Sequence, residues 1–167
     1  MATGRGNQLT KQIGEYLVAC ELARQGFIVA TFSGNVPDFD IIATNKRGSS
    51  CPIQVKTTNT GTWQFPIDRF AEVNLVGNRQ IIGMPKPLTV PDLICVFVIA
   101  GEIYGQDRFY ILEWSRVRDI VISHHAHWLD LHGGVRPKKP DSMHSAIKVD
   151  AIKEFKDKWS IITDKLS

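Results

Sequence analysis

Two short β-type runs carry the residues of this chain best suited to chemistry: Pro37-Asp38-Phe39-Asp40-Ile41-Ile42-Ala43 and Ile53-Gln54-Val55-Lys56-Thr57. Alternate side chains of an extended chain share a face, so Gln54 and Lys56 are expected to point one way while Ile53 and Val55 enter a core. Asp40 opens a run whose later members are apolar and β-branched, which sets its carboxylate at a strand mouth, within reach of Gln54 and Lys56 if the two runs pair. A carboxylate, an amide oxygen and a lysine gathered in this way can hold a divalent cation and manage a proton. Asp38, the immediate partner of Pro37, competes with Asp40 for the ligand role; Asp40 is preferred because it directly precedes the apolar strand.

The elements that must position these groups begin with a helix. Residues Gln8 to Gly26 read as helical, with Gly26 as the C-terminal cap. Leu9, Ile13, Tyr16, Val18, Ala19, Cys20, Leu22 and Ala23 are read as one broad apolar arc, and Thr10, Gly14, Glu21, Arg24 and Gln25 as the wet face. Glu15 falls inside the apolar arc, where a lone carboxylate costs free energy unless a cation, a proton or a donor compensates it. It therefore either has a partner, with Lys11 or Lys56 as the ion-pair candidates, or sits at the edge of a cleft.

Downstream, Phe27 to Phe32 reads as a strand ending in the turn Ser33-Gly34-Asn35, followed by strands at Asp40–Thr44 and Pro52–Thr58 around the turn Asn45–Ser50. Asn59 to Pro91 is rich in turn formers, with short edge strands at Trp63–Ile67 and Arg79–Ile82. Leu93–Ile99 is a continuous apolar run of strand length, and Arg108–Leu112 reads as its neighbour. Trp114–Ser123 predicts a short helix, Gly133–Ser145 an irregular loop, and the spacing of Val149, Ile152, Phe155, Trp159 and Ile162 a closing helix over about 149–165. The order predicts one α/β domain over residues 1–167, a central mixed β-sheet flanked by helices.

Bulk properties set the outer limits. With 167 residues and 43% hydrophobic content the chain can bury a real core. The first dozen residues lack an apolar stretch, and Ile94–Ala100 is far too short to cross a bilayer, so a soluble, cytoplasmic protein is expected. Cys20, Cys51 and Cys95 are odd in number and widely spaced, which suits reduced thiols. A net charge of +3 permits a polyanionic partner without demanding one. Lys46-Arg47 in the strand turn, and Arg136, Lys138 and Lys139 in the proline-rich loop, are the basic clusters that could grip phosphates, joined by Lys11 on the helix. Thr57 and Thr58 could offer hydroxyls to phosphate, although a Thr pair on a strand more often reflects β propensity. His124, His125 and His127 invite a zinc site; with no cysteine nearby, the segment reads instead as the frayed end of a helix.

Taken together, the inward Glu15 on a helix, Asp40 on a second strand and Gln54-Val55-Lys56 on a third resemble the PD-(D/E)XK nuclease superfamily, the restriction-endonuclease-like fold, and above all its small resolvase-like members. The likeness covers about Gly14 to Thr58. It implies a Mg²⁺- or Mn²⁺-dependent endonuclease acting on DNA, branched or foreign substrates among them, and leaves room for a homodimer. It further implies Asp40 and Gln54 as metal ligands with the Val55 carbonyl, Glu15 in the outer shell or on a second ion, and Lys56 as the catalytic lysine. Gln54 departs from the named pattern: an amide oxygen can ligate a hard cation but brings one negative charge fewer. The alternative reading is a nuclease-fold module that binds nucleic acid or a protein partner without cutting.

Overall fold

The computed structural model describes residues 4–32 and 37–167; the expected turn at Ser33–Asn35 lies outside them. The first element is the helix α1 (Gly4–Arg24). Gly26 ends it at φ +89°, where its N–H donates to the Ala23 carbonyl and Phe27 donates back to Leu22 at 3.2 Å. A residue with a Cβ would be strained at that φ, so the glycine is what lets the chain reverse into the first strand.

Five strands then build a mixed sheet: β1 (Ile28–Thr31), β2 (Ile41–Thr44), β3 (Ser50–Thr58), β7 (Ile94–Ile99) and β8 (Arg108–Glu113), in the order β1-β2-β3-β7-β8. Only β3 and β7 run parallel; the other pairs are antiparallel. β7 is buried along its whole length, as its unbroken apolar sequence requires of a strand covered on both faces. Ile53, Val55, Ile94, Val96 and Val98 turn towards Val18 and Leu22 of α1, while Cys95 and Phe97 turn towards a second core containing Trp63, Phe65 and Trp114. The second core is closed by helix α2 (Trp114–Leu131) and by the ribbon of β4 (Thr62–Pro66) with β9 (His144–Lys148). A separate hairpin, β5 (Ala71–Val76) with β6 (Arg79–Pro85), packs against α2 through Gln80, and the short helix α3 (Ser160–Lys165) ends the chain. This is the expected central mixed sheet flanked by helices. No helix among the described residues is long and apolar enough to cross a membrane.

Several expectations need correction. The chain from 149 to 165 is not one helix: two 3₁₀ turns (149–151 and 153–155) precede α3. Between them and α3, Lys156 bridges Tyr110, the Asp157 N–H donates to Phe109 at 3.0 Å, and Asp157 takes φ +54°, so the β8 edge captures the backbone and breaks the helix. The apolar stripe is still buried or half-buried, but Ile152 enters the α2-side core and Ile162 the α1-side core, which one helical face could not do. The helix expected at Trp114–Ser123 continues to Leu131, so the histidines stand on regular helix and not on a frayed end. Strands β5 and β9 were not expected, because Asn59–Pro91 and Gly133–Ser145 read as irregular. In α1 the single broad arc splits in two. Gly14, Val18 and Leu22 face the sheet, whereas Leu9, Ile13 and Tyr16 are on the opposite face, half-exposed to solvent.

Candidate active site

Strand pairing decides where the chemistry collects. Ile41 lies opposite Ile53, and the Asp40 N–H donates to the Ile53 carbonyl at 2.9 Å, so the ladder runs one rung past the start of β2. Asp40 consequently lies beside the Gln54–Val55 segment of β3, and its Oδ2 accepts the Val55 N–H at 2.8 Å. In an extended chain the N–H and C=O of one residue share an edge, so the Val55 carbonyl also lies on the side of Asp40, beyond the reach of β2.

From the other side of the sheet edge, α1 contributes a cation and a second carboxylate. The Lys11 ammonium stands 3.1 Å from Asp40 Oδ1 and 3.4 Å from Glu15 Oε1. Burial acts to lower the Lys11 pKa, but the hydrogen bonds and charges of Asp40 and Glu15 outweigh it and hold the ammonium above the ordinary lysine value. The helix can come this close because Gly14 rests against β3: a Cβ there would sit 1.8 Å from Thr57 Oγ1. Of the two ion-pair partners open to Glu15, the structure pairs it with Lys11 and not Lys56.

Gln54 and Lys56 follow the expected alternation, on the face opposite Ile53 and Val55. The Lys56 ammonium lies 5.8 Å from the centre of the Phe65 ring and has no ion-pair partner among the described residues. Gln54 is buried, and its Oε1 accepts no hydrogen bond among the described residues. Beneath them Cys95 pairs with Gln54 across β3 and β7; burial raises its thiol pKa, the Lys56 charge only partly opposing this, so it is an inert packing group.

The remaining expected residues separate. Asp38, in the left-handed region at φ +72°, pairs with Arg69 at 3.1 Å instead of joining Asp40. Thr57 packs under Gly14 with its hydroxyl buried and unpartnered, and the Thr58 hydroxyl is 3.1 Å from that of Thr60, so neither is turned to a phosphate here. Lys46 and Arg47 occupy a turn organised by the Asn45 carboxamide, whose Nδ2 donates to the Leu166 carbonyl. Six residues of β3 separate that turn from Lys56, about 20 Å of extended chain. Lys138 and Lys139 are exposed on the far loop, and Arg136 folds back against Trp128. Sequence reasoning missed Arg69, which pairs with Asp38 and stands 4.9 Å from the centre of the Trp114 ring. No local signal marks it, because only the path of the chain after β4 brings it there.

No protein-family model and no curated protein matches the chain. Among solved structures, a bacterial homing endonuclease, I-Ssp6803I, is similar over 95% of this chain and 93% of its own, with a TM-score of 0.52 at 16% identity. The chain shares its fold with this nuclease. The Holliday junction resolvase Hjc of Archaeoglobus fulgidus aligns with 92% of this chain and 95% of its own at a TM-score of 0.47 and 11% identity.

Whether this example of the nuclease fold could hold a divalent cation is a question for its own atoms. Among the described residues no group of three or more His, Cys, Asp or Glu side chains converges, so a ligand set needs the amide oxygen of Gln54 and the Val55 carbonyl beside Asp40 and Glu15. Two observations favour the fit. The buried, unpaired Gln54 Oε1 is an acceptor without a donor, a costly state that a cation would relieve. Lys11 already places a positive charge against both carboxylates, so their oxygens face a common position that carries a cationic group. A cavity of 560 Å³ between α2 and β9 contains none of these residues.

Proposed function

We propose that this chain is a Mg²⁺- or Mn²⁺-dependent DNA endonuclease in which Asp40, Gln54 and the Val55 carbonyl hold the ion, Glu15 completes the outer shell, and Lys56 is the catalytic lysine. The observation that carries this reading is the Asp40–Val55 contact at 2.8 Å, since it draws the strand aspartate onto the Gln54–Lys56 segment. Bound there, the ion would supply Lewis acidity at a phosphoryl oxygen and lower the pKa of water. Lys56, on the same face as Gln54, orients the attacking water or takes its proton, and offsets the charge that grows on the phosphate. Lys11 yields the two carboxylates to the ion and, with its side chain 57% exposed, turns to a backbone phosphate. Branched or foreign DNA is the substrate class, and cutting both strands of a duplex calls for a homodimer. A reducing, cytoplasmic setting suits the buried thiols of Cys51 and Cys95.

A second reading rests on Gln54 itself. With an amide in place of an acid the site has two carboxylates, and both are engaged by Lys11; this favours a nuclease-fold module that binds nucleic acid or a protein partner without cutting. Incubation with supercoiled, linear and branched DNA in Mg²⁺ or Mn²⁺ separates the two. For the endonuclease, Asp40→Ala, Lys56→Ala and EDTA each reduce cleavage by about 10²-fold or more. If no substrate is cut with either ion while Asp40→Ala binds DNA as the wild type does, the catalytic reading fails and the binding module replaces it.

A further inference from the structure

The 560 Å³ cavity has three walls. One is a face of α2 on which His124, His127, Trp128 and Leu131 recur at i, i+3, i+4 and i+7, the spacing that aligns side chains on one side of a helix. The second is the outward face of the β4–β9 ribbon, with Lys148. The third is the loop that carries Arg136.

Arg136 is the most informative of these groups. Its guanidinium stacks 4.9 Å from the centre of the Trp128 ring, whose centre also lies 4.1 Å from that of the His132 ring, and it donates to the His144 carbonyl at 2.7 Å. That is one acceptor for five N–H donors, and among the described residues no carboxylate pairs with it. Partial burial pushes its pKa below the ordinary arginine value. Lys148 adds a second positive charge against the single carboxylate of Asp150. A planar guanidinium held by stacking, with donors to spare, matches a phosphate. The volume lies in the range of pockets for organic ligands and exceeds what an inorganic anion needs. The imidazoles of His124 and His127 and the apolar Leu131 provide a wall against which a base can lie.

We propose that this cavity binds a nucleotide through its phosphate, held by Arg136 and Lys148, at a site that shares no residue with Glu15, Asp40, Gln54 or Lys56. The proposal stands whether or not the chain cuts DNA. The phosphate can come from a free nucleotide or from a nucleic-acid strand.

Calorimetric titration of the full chain with dAMP, deoxyadenosine, inorganic phosphate and a 5′-phosphorylated single-stranded 12-mer tests it. Saturable dAMP binding is expected, at least tenfold tighter than deoxyadenosine. Arg136→Gln should weaken it at least tenfold and Lys148→Gln about threefold. Because Arg136 also packs on Trp128, thermal melts accompany both variants; Lys148, exposed on β9, provides the variant that leaves folding intact. A 12-mer that binds more tightly than dAMP, and loses that advantage in Arg136→Gln, identifies a strand as the source; equal affinities identify a free nucleotide. The proposal is overturned if neither dAMP nor the 12-mer saturates, if deoxyadenosine binds as well as dAMP, or if a folded Lys148→Gln protein binds both phosphorylated probes unchanged.

Discussion

Lys11 is tied to both carboxylates of the candidate site and is also its most solvent-exposed member. An ammonium in that position and a divalent cation bound by the same oxygens exclude one another, so metal binding must include the cost of moving Lys11 aside. Exposed ion pairs contribute about 0.2–1 kcal/mol each, so abolishing both by removing Lys11 raises metal affinity by roughly two- to thirtyfold. Lys11→Ala is therefore expected to bind Mn²⁺ that much more tightly in a calorimetric titration while binding DNA more weakly, for want of a phosphate contact. Unchanged or weakened Mn²⁺ affinity in this variant would show that the carboxylates do not hold the ion. Gln54 is the other decisive residue. Its unpaired Oε1 lies in a buried position where an amide is tolerated and an unpaired carboxylate would be costly without a cation. The presence of glutamine at the acid position thus has a physical account in burial.

At the scale of elements, the site depends on how closely α1 approaches β3. Gly14 is the contact point, and a methyl group there would meet the Thr57 Cβ at 2.8 Å as well as its hydroxyl. Gly14→Ala should push the helix off the sheet, cost about 1–3 kcal/mol, and draw Lys11 and Glu15 away from Asp40. Thr57→Ala removes the hydroxyl and methyl contacts and leaves only that with Cβ, so in urea unfolding the double variant should lose less stability than the two singles summed. Strict additivity would mean that the helix is not seated on Thr57. This contact also explains what was legible in the sequence and what was not. The strands β2, β3, β7 and β8 were readable because their apolar runs and turns are local signals, and with them the placement of Asp40 beside the β3 segment at Val55. For α1 the existence and end of the helix were readable, but not which stripe faces the sheet: Leu9, Ile13 and Tyr16 are as apolar as Val18 and Leu22, and only the close approach at Gly14 selects between them. Past residue 149 the helical spacing was misleading, because pairing of Lys156 with Tyr110 is a long-range event that helix periodicity cannot register. Arg69 and the Arg136 cavity escaped for the same reason, as each is assembled from segments distant in sequence.

The stability of the whole molecule is coupled to one imidazole. Gln80 in β6 donates its amide protons to the carbonyls of Pro140 and Ser142, at 2.6 and 2.9 Å, so its Oε1 is left as an acceptor. His125 on α2 stands 2.9 Å from that oxygen and must therefore carry its proton on Nε2. The pair locks helix, hairpin and proline-rich loop together. Burial first, and then the charge of Arg136, push the His125 pKa down from 6.5 to about 4. A base whose pKa is depressed by folding binds fewer protons in the native state than in the unfolded one, so its contribution is fully present above pH 6.5 and is lost as the pH falls towards 4. The depression corresponds to at most about 3 kcal/mol. Urea midpoints measured from pH 7.5 down to 5 should fall progressively, since in that interval few carboxylates have yet gained protons. His125→Gln, which keeps a donor for Gln80 but cannot take up a charge, should be less stable at pH 7.5 and nearly flat across the same interval. If the variant retains the wild-type slope, the proton is taken up elsewhere, and the three elements joined at Gln80 are not what acid releases.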